Sequence, residues 1–172
     1  PYDIDEFERV PAVWNRDGDK TPITNFSYMQ IWHSEPRGFQ AFFTRYGNPA
    51  KRTIGYSQSD DEVTWKTWQR IAAIEEGHYQ IRGRNWRTNL YYVETSDNGA
   101  SWQTVDGRSI SLPIEQSDHV SLVRDYQAEG LNVYLKDLRF DDNDRPVLLY
   151  ITSRGYQSGP KNDPRTWTIA RW

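Results

Sequence analysis

Apolar and polar residues alternate along most of this chain with a period of two, and helical periodicity is nearly absent. Short runs rich in aromatic and β-branched residues are broken by Gly, Asn, Asp and Pro, which is how strands and tight turns are written. The pattern predicts a first strand series at 27–33, 38–46, 52–59 and 68–74, and a second at 78–81, 88–96 and 102–105. A third follows at 132–140, 145–153 and 166–172. Repeated units of four antiparallel strands are the signature of propeller blades. With strands lettered A to D outward from the axis, the first series forms a complete blade. The second lacks B, because only Arg82-Gly83-Arg84-Asn85-Trp86-Arg87 separates A from C, and the third stops before D. The expectation is an all-β, partial β-propeller of four-stranded antiparallel blades, at 24–75, 76–106 and 118–172, preceded by a strand segment at 1–23. Closed propellers need about four to eight blades, so the chain is expected to be a fragment or part of an assembly. Its open strand edges predict pairing with residues 1–14 or self-association with another copy.

One turn carries a specific motif. Thr95, Asp97, Gly99, Ser101 and Trp102 fit the Asp-box pattern Ser/Thr-x-Asp-x-Gly-x-Ser/Thr-Trp at every defined position. The spacing has a physical reason. Asp97 is placed to accept backbone N–H groups within the turn, Gly99 to supply a positive φ, and Trp102 to bury its ring beneath the hairpin. Upstream, Gln58, Asp60, Thr64 and Trp65 repeat the pattern imperfectly, with Glu62 at the glycine position, so a less regular turn is expected there. Such a turn is a structural staple and not a catalytic device.

Composition narrows the function classes. The chain has 172 residues, 21 basic and 24 acidic side chains intermixed, and a formal net charge of -3. No global field steers it toward nucleic acid or an anionic membrane, and neither is expected as a partner. The absence of Cys excludes disulfides and thiolate metal sites. No apolar run approaches the ~20 residues of a membrane span. The first residues are acidic and do not read as a signal peptide, so any leader has been removed or the chain begins inside a longer protein. Aromatic residues make up 15% of the chain although its mean hydropathy is -0.90. That combination suits half-buried strands whose aromatics pack between sheets, and it also suits a surface that stacks on sugar rings.

Several longer motifs resemble the bacterial BNR-repeat, Asp-box family of sialidase-like β-propellers. They are Glu76-Gly77-His78-Tyr79-Gln80, Arg87-Thr88-Asn89-Leu90-Tyr91-Tyr92, Asp118-His119-Val120-Ser121-Leu122 and Tyr134-Leu135-Lys136-Asp137-Leu138, together with Thr152-Ser153-Arg154-Gly155 and the stretch from Gly159 to Trp167. The resemblance covers most of 24–172. Members of the family carry the label neuraminidase, and ulvan-lyase-type polysaccharide lyases have a related propeller. The resemblance implies a carbohydrate-active propeller acting on an acidic polysaccharide or oligosaccharide, foremost as a lyase that eliminates at uronate. The alternatives it leaves are a sialidase-like glycoside hydrolase and a non-catalytic glycan-binding propeller. It implies a secreted or periplasmic bacterial protein. Related sequences carry a longer stretch, with another His, between the Gly-His-Tyr and Arg-Thr-Asn motifs. This chain lacks it, and by itself is expected to be inactive.

Antiparallel connectivity sorts the chemically capable residues by face. The D–A and B–C connections share one face of a propeller, and on it fall His78, Arg87, His119, Tyr126, Tyr134 and Arg154. Loops converging at the axis are where a ligand would sit. His78, Tyr134 and Arg154 are the catalytic candidates: His78 and Tyr134 to move protons, Arg154 to neutralise a carboxylate. Arg87, His119 and Tyr126 are the candidate substrate contacts, Arg87 through a bidentate grip on a carboxylate. Each has a plain alternative as a packed ring or a surface ion pair. A hydrolase would need two carboxylates flanking the bond, for which the same face offers Glu75, Glu76, Asp118, Asp125 and Glu129, or a Tyr nucleophile with its base as in sialidases. His33, at the far end of its strand, is expected to be structural. The run Asp141-Asp142-Asn143-Asp144 lacks the Gly and distal Glu of an EF-hand and is expected to be a turn. No metal ion and no cofactor are expected.

Overall fold

A computed structural model describes residues 9–14, 26–46, 52–74 and 85–172. It forms two compact units, one of Pro1–Ala73 with Asp97–Ala100 and the other of Ile74–Ser96 with Ser101–Trp172.

In the first unit the strands are β1 (Val13–Trp14), β2 (Phe26–Ser34), β3 (Gly38–Tyr46), β4 (Arg52–Ser59), β5 (Thr64–Trp65) and β6 (Gln69–Ala72). Strands β2, β3, β4 and β6 pair antiparallel in that order, the succession expected of a complete blade. The short β5 also pairs with β4, and β1 lies parallel to β5. Alternation in β3 explains the core. Phe39, Ala41 and Phe43 share a face, and Ala41 and Phe43 bury with Trp65 against Met29 and Trp68. Burying side chains of this size stabilises the sheet by about 1.5–3 kcal/mol each. Opposite Phe43 stands Gly55, where an added Cβ would lie 2.4 Å from the Phe43 ring, so the glycine is required by close approach.

The second unit contains β7 (Leu90–Tyr91), β8 (Trp102–Gln103), β9 (Ser109–Ile110), β10 (Leu122–Arg124), β11 (Asn132–Phe140), β12 (Pro146–Ser153) and β13 (Thr166–Arg171). Its main sheet runs β11-β12-β13, all antiparallel, with a register shift between Leu135 and Asp137. Strand β12 is apolar on both faces. One face presents Leu148 and Tyr150, which bury with Leu90, Tyr126 and Val133.

Three expectations are corrected. The second series is not the simple A–C–D set: Leu90–Tyr91 pairs with Leu122–Arg124, and Trp102–Gln103 with Ser109–Ile110, so the stretch read as a link supplies two strands. The 88–96 strand shrinks to β7 and an isolated bridge from Glu94 to Gln103. The expected strand at 78–81 lies outside the described residues. In the upstream turn, Asp61 rather than Asp60 does the capping. Its carboxylate accepts from Thr64 N–H at 2.6 Å, Val63 N–H at 3.0 Å and the Ser59 hydroxyl at 2.9 Å, while Asp60 makes an exposed ion pair with Lys66. Glu62 takes the positive φ of 58° that its glycine counterpart, Gly99, takes at 83°. Trp65 and Trp102 are buried as the motif predicts.

Candidate functional site

The second unit places a cluster of cations and aromatic rings at the start of β11. Just before β7, residues Arg87 and Thr88 run alongside this edge: Val133 N–H donates to the Arg87 carbonyl at 2.8 Å and the Thr88 hydroxyl donates to the Leu131 carbonyl at 2.8 Å. This anchors Arg87 beside Tyr134, with its guanidinium carbon 5.8 Å from the ring centroid. The Tyr134 hydroxyl donates to the Asn85 carbonyl at 3.1 Å. Alternation puts Asn132 on the same face as Tyr134. Asn132 is 2% exposed.

The loop from β12 to β13 supplies the other wall. Tyr156 meets Trp86 edge-on, with ring centroids 5.9 Å apart. Arg165 holds the loop in shape by donating to the Gln157 and Gly159 carbonyls and pairing with Asp163. Burial, the largest influence, raises the pKa of Tyr134; Arg87, Asn132 and Arg165 act in the opposite direction and Tyr156 adds to the rise. A phenol is protonated at neutral pH with or without this rise, which weakens it as an acid and keeps it a hydrogen-bond donor.

Of the sequence-predicted residues, the structure brings Tyr134 and Arg87 together. Arg154 stands exposed just beyond β12, with no hydrogen bond or ion pair to another described residue. His119 closes a local turn, its Nδ1 bonded to the Ser121 hydroxyl at 2.8 Å and accepting the Ser121 N–H at 3.2 Å. Tyr126 is a correction to the sequence reading. It is 3% exposed, its hydroxyl shares a 2.7 Å hydrogen bond with Tyr150, and it packs in the core, so it presents no surface to a ligand. Its pKa is pushed up to about 12, by burial first and then by the Tyr150 bond. His78, Glu75 and Glu76 lie outside the described residues. Among the other carboxylates considered, Glu129 is paired with Arg124, and Asp125 accepts from Ala128 N–H. Asp141 accepts from the Asn143 and Arg145 N–H groups, which makes that acidic run a turn, as expected. Sequence reasoning passed over Asn132, Tyr156 and Arg165. The available signal was the run of motif residues from Gly159 to Trp167, most of which lies on the loop between β12 and β13 that carries Arg165.

Comparison with known proteins places the chain. No curated protein matches its sequence. Two solved structures of a new family of polysaccharide lyase, PL25 ulvan lyase, match it, one of them bound to -[GlcA(1-4)Rha3S]-. Each is 14% identical with a TM-score of 0.61, and the match covers 86% of this chain and 41% of the lyase. The chain thus spans about two fifths of the length of these lyases. At this identity the likeness is one of fold, and it fits the partial propeller that the strand pattern predicts. The model of BNR repeat-containing family members matches residues 79–170, a range that includes the Arg87–Tyr134 cluster and the loop facing it. The chain belongs to the BNR repeat-containing family.

Proposed function

We propose that this protein is a carbohydrate-active propeller for an acidic polysaccharide, and that it acts as a lyase by β-elimination at a uronate. The observation that carries this reading is the setting of Tyr134. A half-buried phenol lies beside the Arg87 guanidinium, Arg165 is a further nearby cation, and no carboxylate is among the groups that act on it most strongly. Most glycoside hydrolases need a pair of carboxylates at the bond, and sialidases a Tyr nucleophile with its base; cations around a phenol suit an anionic sugar ring, and the product tells a lyase from a sialidase-like hydrolase.

The chemistry follows from the groups. Arg87 neutralises the uronate carboxylate, which makes the adjacent C–H acidic. A base removes that hydrogen, the electron pair forms the carbon–carbon double bond, and the bond to the neighbouring glycosidic oxygen breaks. The departing oxygen needs a proton, and in this reading Tyr134 gives it, its hydroxyl turning from the Asn85 carbonyl to the substrate. Of the proton-moving candidates from the sequence, His78 is then the base in this reading, and Arg154 a second grip on the acidic chain. The fold of the PL25 ulvan lyases, one of them holding a glucuronate-containing oligosaccharide, supports the substrate class. Such a substrate fits the secreted or periplasmic location suggested by the resemblance.

The test uses the full-length protein and a glucuronate–rhamnose-3-sulfate oligosaccharide. The reading expects ultraviolet absorbance from an unsaturated product to rise in step with new reducing ends. Reducing ends without unsaturation would establish a hydrolase instead, and binding with neither would establish a glycan-binding propeller.

A further inference from the structure

Tyr156 is a large aromatic ring held out in solvent by a loop that is itself fixed. It is 44% exposed, although burying its ring would stabilise the fold. The backbone on either side of it is tied by side chains. The buried Ser153 hydroxyl donates to the Gly155 carbonyl at 2.7 Å and Asn162 Nδ2 donates to the Gln157 carbonyl at 3.2 Å. Arg165 donates to the Gln157 and Gly159 carbonyls. Gly155 is buried against Asn162, whose side chain would lie 2.5 Å from an added Cβ. The Tyr156 ring meets Trp86 edge-on, at an interplanar angle of 76°. Such a contact takes up at most one face of the Tyr156 ring and leaves a face open. Its place in the unit is equally defined. Trp86 lies between Asn85, whose carbonyl accepts the Tyr134 hydroxyl, and Arg87, whose guanidinium stands beside the Tyr134 ring. The open ring is therefore joined to the Tyr134 cluster through a single side chain.

We propose that Tyr156 is a substrate-binding residue whose ring stacks on the sugar unit next to the uronate. This rests on the acidic-polysaccharide reading above and gives the neighbouring sugar its own place. A pyranose ring presents partly positive C–H groups on a face, and these suit the negative face of an aromatic ring. A tyrosine, apolar in body and polar at its tip, covers such a face while its hydroxyl stays in water. Because the loop is already ordered, the contact forms with little further loss of conformational freedom. The stacked unit needs no charge. Tyr156 thus contributes affinity and register along the chain, while Arg87 and Tyr134 act on the uronate.

The test is binding, kept apart from catalysis. Affinity of the full-length protein for the glucuronate–rhamnose-3-sulfate oligosaccharide is measured by calorimetry. Tyr156→Ala is expected to weaken binding about tenfold, and Tyr156→Phe, which keeps the ring, to stay within about twofold of wild type. Because the ring is exposed, both variants should keep the wild-type Tm. In turnover, Tyr156→Ala should raise KM and leave kcat unchanged, as loss of binding common to substrate and transition state requires. A second measurement needs no variant. Nitration of accessible tyrosines in the wild type, mapped by mass spectrometry, should slow at Tyr156 when the oligosaccharide is bound. Equal affinity of wild type and Tyr156→Ala, or nitration of Tyr156 unchanged by saturating oligosaccharide, would overturn the proposal. An equal loss in Tyr156→Phe would assign the contact to the hydroxyl and overturn stacking. Tyr156-dependent binding without an unsaturated product would uphold the proposal and refute only the lyase reading. Absence of binding by the wild type would reject both.

Discussion

Removing the Tyr126 hydroxyl separates a core role from a ligand role. Its ring packs with Leu90, Val133, Leu148 and Tyr150, and its hydroxyl shares a single 2.7 Å hydrogen bond with that of Tyr150. Tyr126→Phe keeps the ring and leaves the Tyr150 hydroxyl without this partner in a buried site, which costs about 1–3 kcal/mol. For a chain of this size the loss corresponds to a fall in Tm of roughly 3–10 °C. Tyr150→Phe should cost a similar amount. The double variant leaves no hydroxyl orphaned, so its loss should be smaller than the sum of the two. The pH dependence has a definite sign. The folded-state pKa is raised to about 12, above the ordinary tyrosine value near 10. The stabilisation linked to this group is therefore full below about pH 10 and lost as the pH rises through about 12. Thermal unfolding of the three variants and wild type from neutral to alkaline pH measures all of this. Additive losses would refute the shared hydrogen bond. An unchanged Tm with lost oligosaccharide binding would make Tyr126 a ligand residue after all.

Gly55→Ala would drive a methyl group to 2.4 Å from the Phe43 ring and 3.0 Å from Trp68, so stability should fall by about 1–3 kcal/mol, measurable by urea unfolding. Asp61→Ala should lower Tm while Asp60→Ala leaves it nearly unchanged, because only Asp61 caps the turn. The Asp61 pKa is depressed, chiefly by the Thr64 N–H. Its contribution is therefore present above the ordinary aspartate value and lost as pH falls through the lower folded value, so the two variants should converge in Tm under strong acid.

Long strands were legible in the sequence, and short non-local ones were not. Strands β3, β4 and β11 fall on their expected bounds because alternation persists over eight or nine residues and turns punctuate both ends. The pairing of β7 with β10 joins Leu90–Tyr91 to Leu122–Arg124, two short segments far apart in sequence, and no local pattern announces such a contact. The one-residue error between Asp60 and Asp61 has a similar cause, since adjacent aspartates are equally able to form an Asx-turn and only the backbone path chooses. At the site, Tyr134 and Tyr126 are the same residue type in similar surroundings of sequence. They differ in what lies opposite: a buried Tyr150 hydroxyl for one, an arginine and an open edge for the other. Asn132 was passed over because asparagine at a strand start reads as turn chemistry, and its burial beside Tyr134 is visible only in three dimensions.

The most direct test of the central claim is the rate of unsaturated-uronate formation by full-length Tyr134→Phe. This change removes the hydroxyl that donates to the Asn85 carbonyl and keeps the ring against Arg87. Loss of a proton donor to the departing oxygen predicts a rate lower by about 10²-fold or more, with oligosaccharide affinity and Tm close to wild type. An unimpaired rate in a folded variant would contradict the account and move the chemistry away from Tyr134.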